Sequence, residues 1–268
     1  MHFGGFAPAF TLSLCDSECS RKPPVPIASV VSGQDKKKEN GLQILKLSRM
    51  KNTISVLILI VIFCGCKPRL KVHTEPCTRI TTTALSIDSS KFKFFEDTFH
   101  MNFINQAENY LSGLTPRKKI LIAYSLGIEG GNYLADPSIT NSFKYIIVET
   151  SNNKYELIDT NEKFKRFFAP VDSKEEALSF ACALSNSEPK YDFSDIKDNF
   201  ILYQQEINVT NVKELSNGYE VQLFLYQMTG CPPHYYYSTK YFVGKNGDVK
   251  EIERKKFYED PNDGGCRD

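Results

Sequence analysis

From residue 201 onward apolar and polar positions alternate, and two Asn-Gly pairs divide the alternation into four segments. Ile201–Leu215 and Tyr219–Met228 flank Asn217-Gly218, while Tyr235–Val243 and Val249–Phe257 flank Asn246-Gly247. Asn-Gly suits the two positive-φ positions of a tight hairpin turn. Tyr219, Val221, Leu223 and Leu225 alternate with Glu220, Gln222 and Tyr226, so one face turns inward. The pattern predicts a four-stranded antiparallel meander.

Helical spacing dominates the region before it. Ser173-Lys174-Glu175-Glu176 is a capping box, opening a helix whose Ala177, Phe180, Ala181 and Leu184 share one face. That helix is expected to pack on the meander. A short helix over Glu162–Phe168 ends before Pro170, and strands Phe143–Glu149 and Lys154–Asp159 form a hairpin across Ser151-Asn152-Asn153. Further upstream, Phe99, Phe103, Ala107 and Leu111 recur at helical spacing and stop at Gly113. Thr115 and Pro116 then read as the cap and first position of a second helix, with Ile120, Leu121, Tyr124 and Leu126 as its apolar content and Gly127 at its end. Arg79–Ile87 is β-branched enough for a strand. The fold class is α+β, with helices on an antiparallel sheet. In outline it is similar to cystatin-like and NTF2-like folds, and residues 173–268 would be its core.

The chain before residue 81 has a different character. Val56–Cys64 is an unbroken apolar run of nine residues, preceded by Lys46, Arg49 and Lys51. A membrane-spanning helix needs about 20 apolar residues, whereas the core of a secretory signal needs only about 7–15. Phe63-Cys64-Gly65-Cys66 follows, and this segment resembles the lipobox of bacterial lipoproteins. Phe63 stands where that family usually has leucine, and Cys64 where it has alanine or serine. The resemblance implies cleavage after Gly65, acylation of Cys66, and membrane attachment through those acyl chains. Lys67 stands where the family's inner-membrane retention signal has aspartate, which implies the outer membrane, facing the periplasm. The alternative readings of residues 50–65 are a buried hydrophobic strand or helix and an uncleaved signal anchor. On the lipoprotein reading residues 1–49, with Pro23, Pro24, Pro26 and Lys36-Lys37-Lys38, are a disordered or untranslated leader; residues 50–65 are the signal peptide. Residues 66–80 are a lipidated tether, and 81–268 form one domain.

Composition narrows the partners. The 268 residues carry a formal net charge of +1 with no basic stripe, which gives no reason to expect nucleic acid. From Cys66 onward 25 basic and 28 acidic side chains remain. Of eight cysteines, Cys77, Cys182, Cys231 and Cys266 are left as disulfide candidates in an oxidising compartment. Three pairings are possible; Cys231–Cys266 is preferred because it would clamp the tail Asp260–Asp268 onto the sheet, while Cys182 reads as a small buried hydrophobe.

Few residues announce chemistry. Cys231-Pro232-Pro233-His234 has metal-like spacing, but a zinc site needs three or four ligands and the other histidines are His2, His73 and His100, of which the first two lie outside the expected folded part. It reads as a disulfide next to a turn, and His100 as an amphipathic-helix residue. Gly127-Ile128-Glu129-Gly130-Gly131 lacks the spacing of a phosphate loop. No hydrolase or metalloprotease motif occurs, so no catalytic residue, metal or cofactor is assigned. Tyr235, Tyr237 and Tyr241 could form an aromatic ligand platform, with cross-strand packing as the alternative. The expected function is that of a non-enzymatic envelope lipoprotein binding a protein, peptide or envelope component. The alternative is an envelope hydrolase with a site assembled from scattered residues.

Overall fold

The computed structural model describes residues 70–126, 132–135, 142–151 and 153–266. The leader, the signal segment, Gly65, Cys66 and the Gly127–Gly131 loop lie outside them. Strand β1 (Lys71–His73) falls within the expected tether and pairs in parallel with β7 (Glu206–Asn208). Lys71 Nζ sits 2.9 Å from Glu206 Oε1 across that pair. A three-residue exposed strand is too short to show alternation, so the pattern concealed it.

Arg79–Ile87 is not a strand. Side chains meet its backbone instead: Ala84 N donates to Asn109 Oδ1 and Ile87 N to Gln106 Oε1. Helix α1 (Phe92–Phe99) follows a 3-10 turn and ends at His100, whose φ of 56° breaks the helix. His100 is therefore a helix cap. The chain then turns into β2 (Phe103–Gln106), so the helix expected through Leu111 is replaced by α1, a strand and a 3-10 turn.

The second expected helix is also a strand, β3 (Ile120–Ser125). Ile120 and Ile122 enter one core, Leu121 and Ala123 another, so both faces are covered. A strand buried on both sides is apolar without alternation and mimics a buried helix segment. The hairpin forms as expected from β4 (Phe143–Ser151) and β5 (Lys154–Ile158). This antiparallel sheet has the order β2-β3-β4-β5.

Helix α2 (Asn161–Phe168) is capped by Thr160, whose side chain accepts from Lys163 N. Helix α3 (Lys174–Ala183) carries the complete capping box: Glu176 N donates to Ser173 Oγ and Ser173 N to Glu176 Oε2, both at 3.1 Å. Eight of its ten residues are buried, because α3 lies between two sheets. The second sheet contains β6 (Ile201–Leu202), β8 (Asn211–Leu215), β9 (Gly218–Tyr226), β10 (Tyr235–Gly244) and β11 (Val249–Glu259), ordered β6-β11-β10-β9-β8. The predicted meander is therefore present, with its first strand broken into β6, β7 and β8. Gly247 closes the last hairpin at φ +84°, and a Cβ there would lie 2.9 Å from Phe180.

The fold is α+β. The helix-on-meander outline covers half of it, because the four-stranded sheet packs on the other side of α2 and α3. Among the described residues no helix is long and apolar enough to cross a membrane. Gly113 marks a close approach to α3, since a Cβ would stand 2.5 Å from the Glu175 carbonyl oxygen. Gly113→Ala is expected to cost about 2 kcal/mol through overpacking against rigid backbone. Urea unfolding would show this, and an unchanged midpoint would refute it.

Candidate binding face on the five-stranded sheet

A ten-residue helix is about 15 Å long and a ten-residue strand about 33 Å, so α3 can cover only about half of β10. Val243, Tyr241, Thr239 and Tyr237 alternate along one face of β10 without a register break against β9, and Tyr235 continues their phase at the strand's start. Val243 and Tyr241 lie in the core with α3. Thr239 and Tyr241 both contact Ser187 Oγ, at 3.2 and 2.8 Å, just beyond the helix end. Past that point Tyr237 and Tyr235 are half-buried, with no helix over them.

Tyr241 therefore does not join an exposed platform. It is 5% exposed, and its hydroxyl is held inside by Ser187. The two outer tyrosines instead join partners that the sequence reading missed. Tyr203 makes an edge contact with Tyr235 at 5.8 Å, and Tyr235 another with Tyr237 at 6.1 Å. Lys256 Nζ lies 3.5 Å from the Tyr235 ring centre and 5.8 Å from that of Tyr203. Arg254 lies 6.0 Å from the Tyr237 ring.

Hydrogen bonds fix the outer rings. Tyr203 donates to Glu259 Oε2 at 2.7 Å, and Tyr237 donates to Gln227 Oε1 at 3.1 Å. The bond to a carboxylate holds the Tyr203 phenol in its neutral form, with its pKa pushed up to about 12. Arg254 is engaged by Glu251 through two bonds, 2.8 and 2.6 Å long. Lys256 has no ion-pair partner among the described residues, so its ammonium is presented from the two rings.

At the end of this sheet Cys231 is bonded to Cys266, across 35 residues. Cys77 is free and exposed, while Cys182 is free and buried in α3, where burial raises its thiol pKa. The clamped tail brings Asp263 within 3.4 Å of His234 Nδ1 and hydrogen-bonds its carboxylate to the Tyr226 hydroxyl. His234 Nε2 lies 3.0 Å from the Gly230 carbonyl oxygen. The ring has no exposed surface, so this histidine lies packed beneath the tail and has no face for a substrate. Among the described residues no cluster of three metal-ligating side chains occurs.

One further buried group escaped the sequence reading. Lys144 on β4 is 4% exposed, and its Nζ donates to the carbonyls of Cys182 at 2.7 Å and Ser185 at 2.9 Å. It thereby caps the C-terminal end of α3, where carbonyls lack helical partners. Burial lowers its pKa.

No family model matches the chain, and neither a curated protein nor a solved structure matches it.

Proposed function

We propose that this is a lipid-anchored bacterial envelope protein that binds an envelope component through the Tyr203–Tyr235–Tyr237–Lys256 face and performs no catalysis. The observation that carries the binding role is the pinned, half-exposed aromatic face left where α3 stops short of the sheet. Such rings combine a large contact area with few rotatable bonds, which limits the entropy lost on binding. The meander with α3 supports reading that half as cystatin-like or NTF2-like in outline, with the second sheet as an addition.

The address rests on the lipobox-like Phe63-Cys64-Gly65-Cys66. The Cys231–Cys266 bond supports it, since disulfides persist outside the reducing cytoplasm. On this reading Cys66 carries the acyl chains, and the domain faces the periplasm from the outer membrane. Two or more acyl chains give stable anchoring where one is marginal. Cells fed a labelled fatty acid should incorporate it into the parent protein and not into Cys66→Ala. Label retained by the variant would overturn the anchor.

A further inference from the structure

We infer that the face around Lys256 is a site for a carboxylate-bearing saccharide, a uronate unit of an envelope glycan. This rests on the binding-face reading above and adds the class of ligand.

The charge arrangement selects the anion. Lys256 carries three N–H donors, and no described carboxylate lies within ion-pair distance. Arg254 beside it is already satisfied by Glu251. Lys256 is thus the cation offered to a ligand. Glu259, 7% exposed beneath Tyr203, disfavours a second negative charge nearby. A single carboxylate fits, whereas a phosphomonoester dianion would meet one cation and a buried anion.

The rings select the body of the ligand. Tyr203 and Tyr237 are each held by their hydroxyls and stand at 72° and 66° to Tyr235. At those angles the rings present faces of different orientation, and a pyranose stacks its C–H bonds on the negative face of such a π system. Tyr237 and Lys256 are opposite one another on β10 and β11, so ring and cation are adjacent. An acyclic acidic chain could meet Lys256 but would leave the ring faces unused.

The full-length chain in detergent micelles provides the test, with trigalacturonate as the probe and binding followed by calorimetry. Trigalacturonate should bind, and its methyl ester, which keeps the rings and removes the charge, should bind at least tenfold more weakly. Lys256→Gln and Tyr237→Ala should each weaken binding at least tenfold while unfolding like the parent. Lys256 is exposed, where substitutions rarely affect stability, whereas Tyr237 is half-buried, so its loss of binding counts only with an unfolding curve that matches the parent's. Cys66→Ala should bind unchanged, which separates this result from the anchor. Absence of binding, or affinity unchanged in Lys256→Gln, would overturn the inference. Triglutamate binding as tightly as trigalacturonate, with the same dependence on Lys256, would overturn the saccharide class and leave a binding face for acidic peptides.

Discussion

Lys144→Met should lower the unfolding free energy by about 3 kcal/mol, because it leaves two buried carbonyls unpaired at about 1–3 kcal/mol each and removes the desolvation cost of the ammonium. The carbonyls are those of Cys182 and Ser185, to which Nζ donates. Methionine keeps most of the side-chain volume, so a cavity adds little. The pH dependence separates this from a packing effect. Burial depresses the Lys144 pKa below its ordinary 10.5, with Cys182 and Glu188 opposing in part. Between the folded-state value and 10.5 the unfolded chain therefore holds more protons than the folded one, and this group's contribution to stability rises with pH. Parent and variant should diverge as pH rises through that window. Urea unfolding at pH 7 and pH 10 would test this: a parent–variant difference that does not grow with pH would refute the depressed pKa, and a variant as stable as the parent at both would refute the capping role.

The second large effect belongs to the tail. The Cys231–Cys266 bond closes a loop with a sequence separation of 35. In the chain-entropy account a loop of that size stabilises by roughly 3–4 kcal/mol, against a total stability of about 5–15 kcal/mol for a typical domain. The Cys231→Ser/Cys266→Ser chain should unfold at lower guanidinium than the oxidised parent and together with the parent under reductant. A double variant as stable as the oxidised parent would show that the clamp contributes nothing. Release of the tail should also move Asp263 away from His234. The histidine, without exposed surface in the clamped state, should then react with diethyl pyrocarbonate.

The elements legible in the sequence were those with local punctuation. Asn246-Gly247, the Ser173 capping box and the Pro170 stop each act over a few residues, and the strands and helices beside them form where expected. β3 was misread because its burial comes from two distant partners, α3 on one side and α1 on the other. Nothing local distinguishes such a strand from a helix. The candidate face divides in the same way. Tyr235 and Tyr237 were visible from alternation, but Tyr241 shares their phase and is buried, because the reach of α3 decides exposure. Lys256 was hidden by register. An uninterrupted ladder from Val243↔Val249 would place Lys255 opposite Tyr237; the irregularity between Lys240 and Tyr241 shifts the pairing to Lys256. Lys144 lay in a predicted strand, yet its carbonyl partners come from the far end of a helix 38 and 41 residues away.

The pairing of β1 with β7 sets a leash. With Lys71 held in the sheet, the lipid anchor proposed above would leave only the residues from Cys66 to Lys71 between the acyl chains and the folded body. Fully extended, such a stretch spans at most about 18 Å. A protein so moored would patrol a shallow layer above the lipid headgroups. Its ligand would have to come to the bilayer surface, or be rooted there itself.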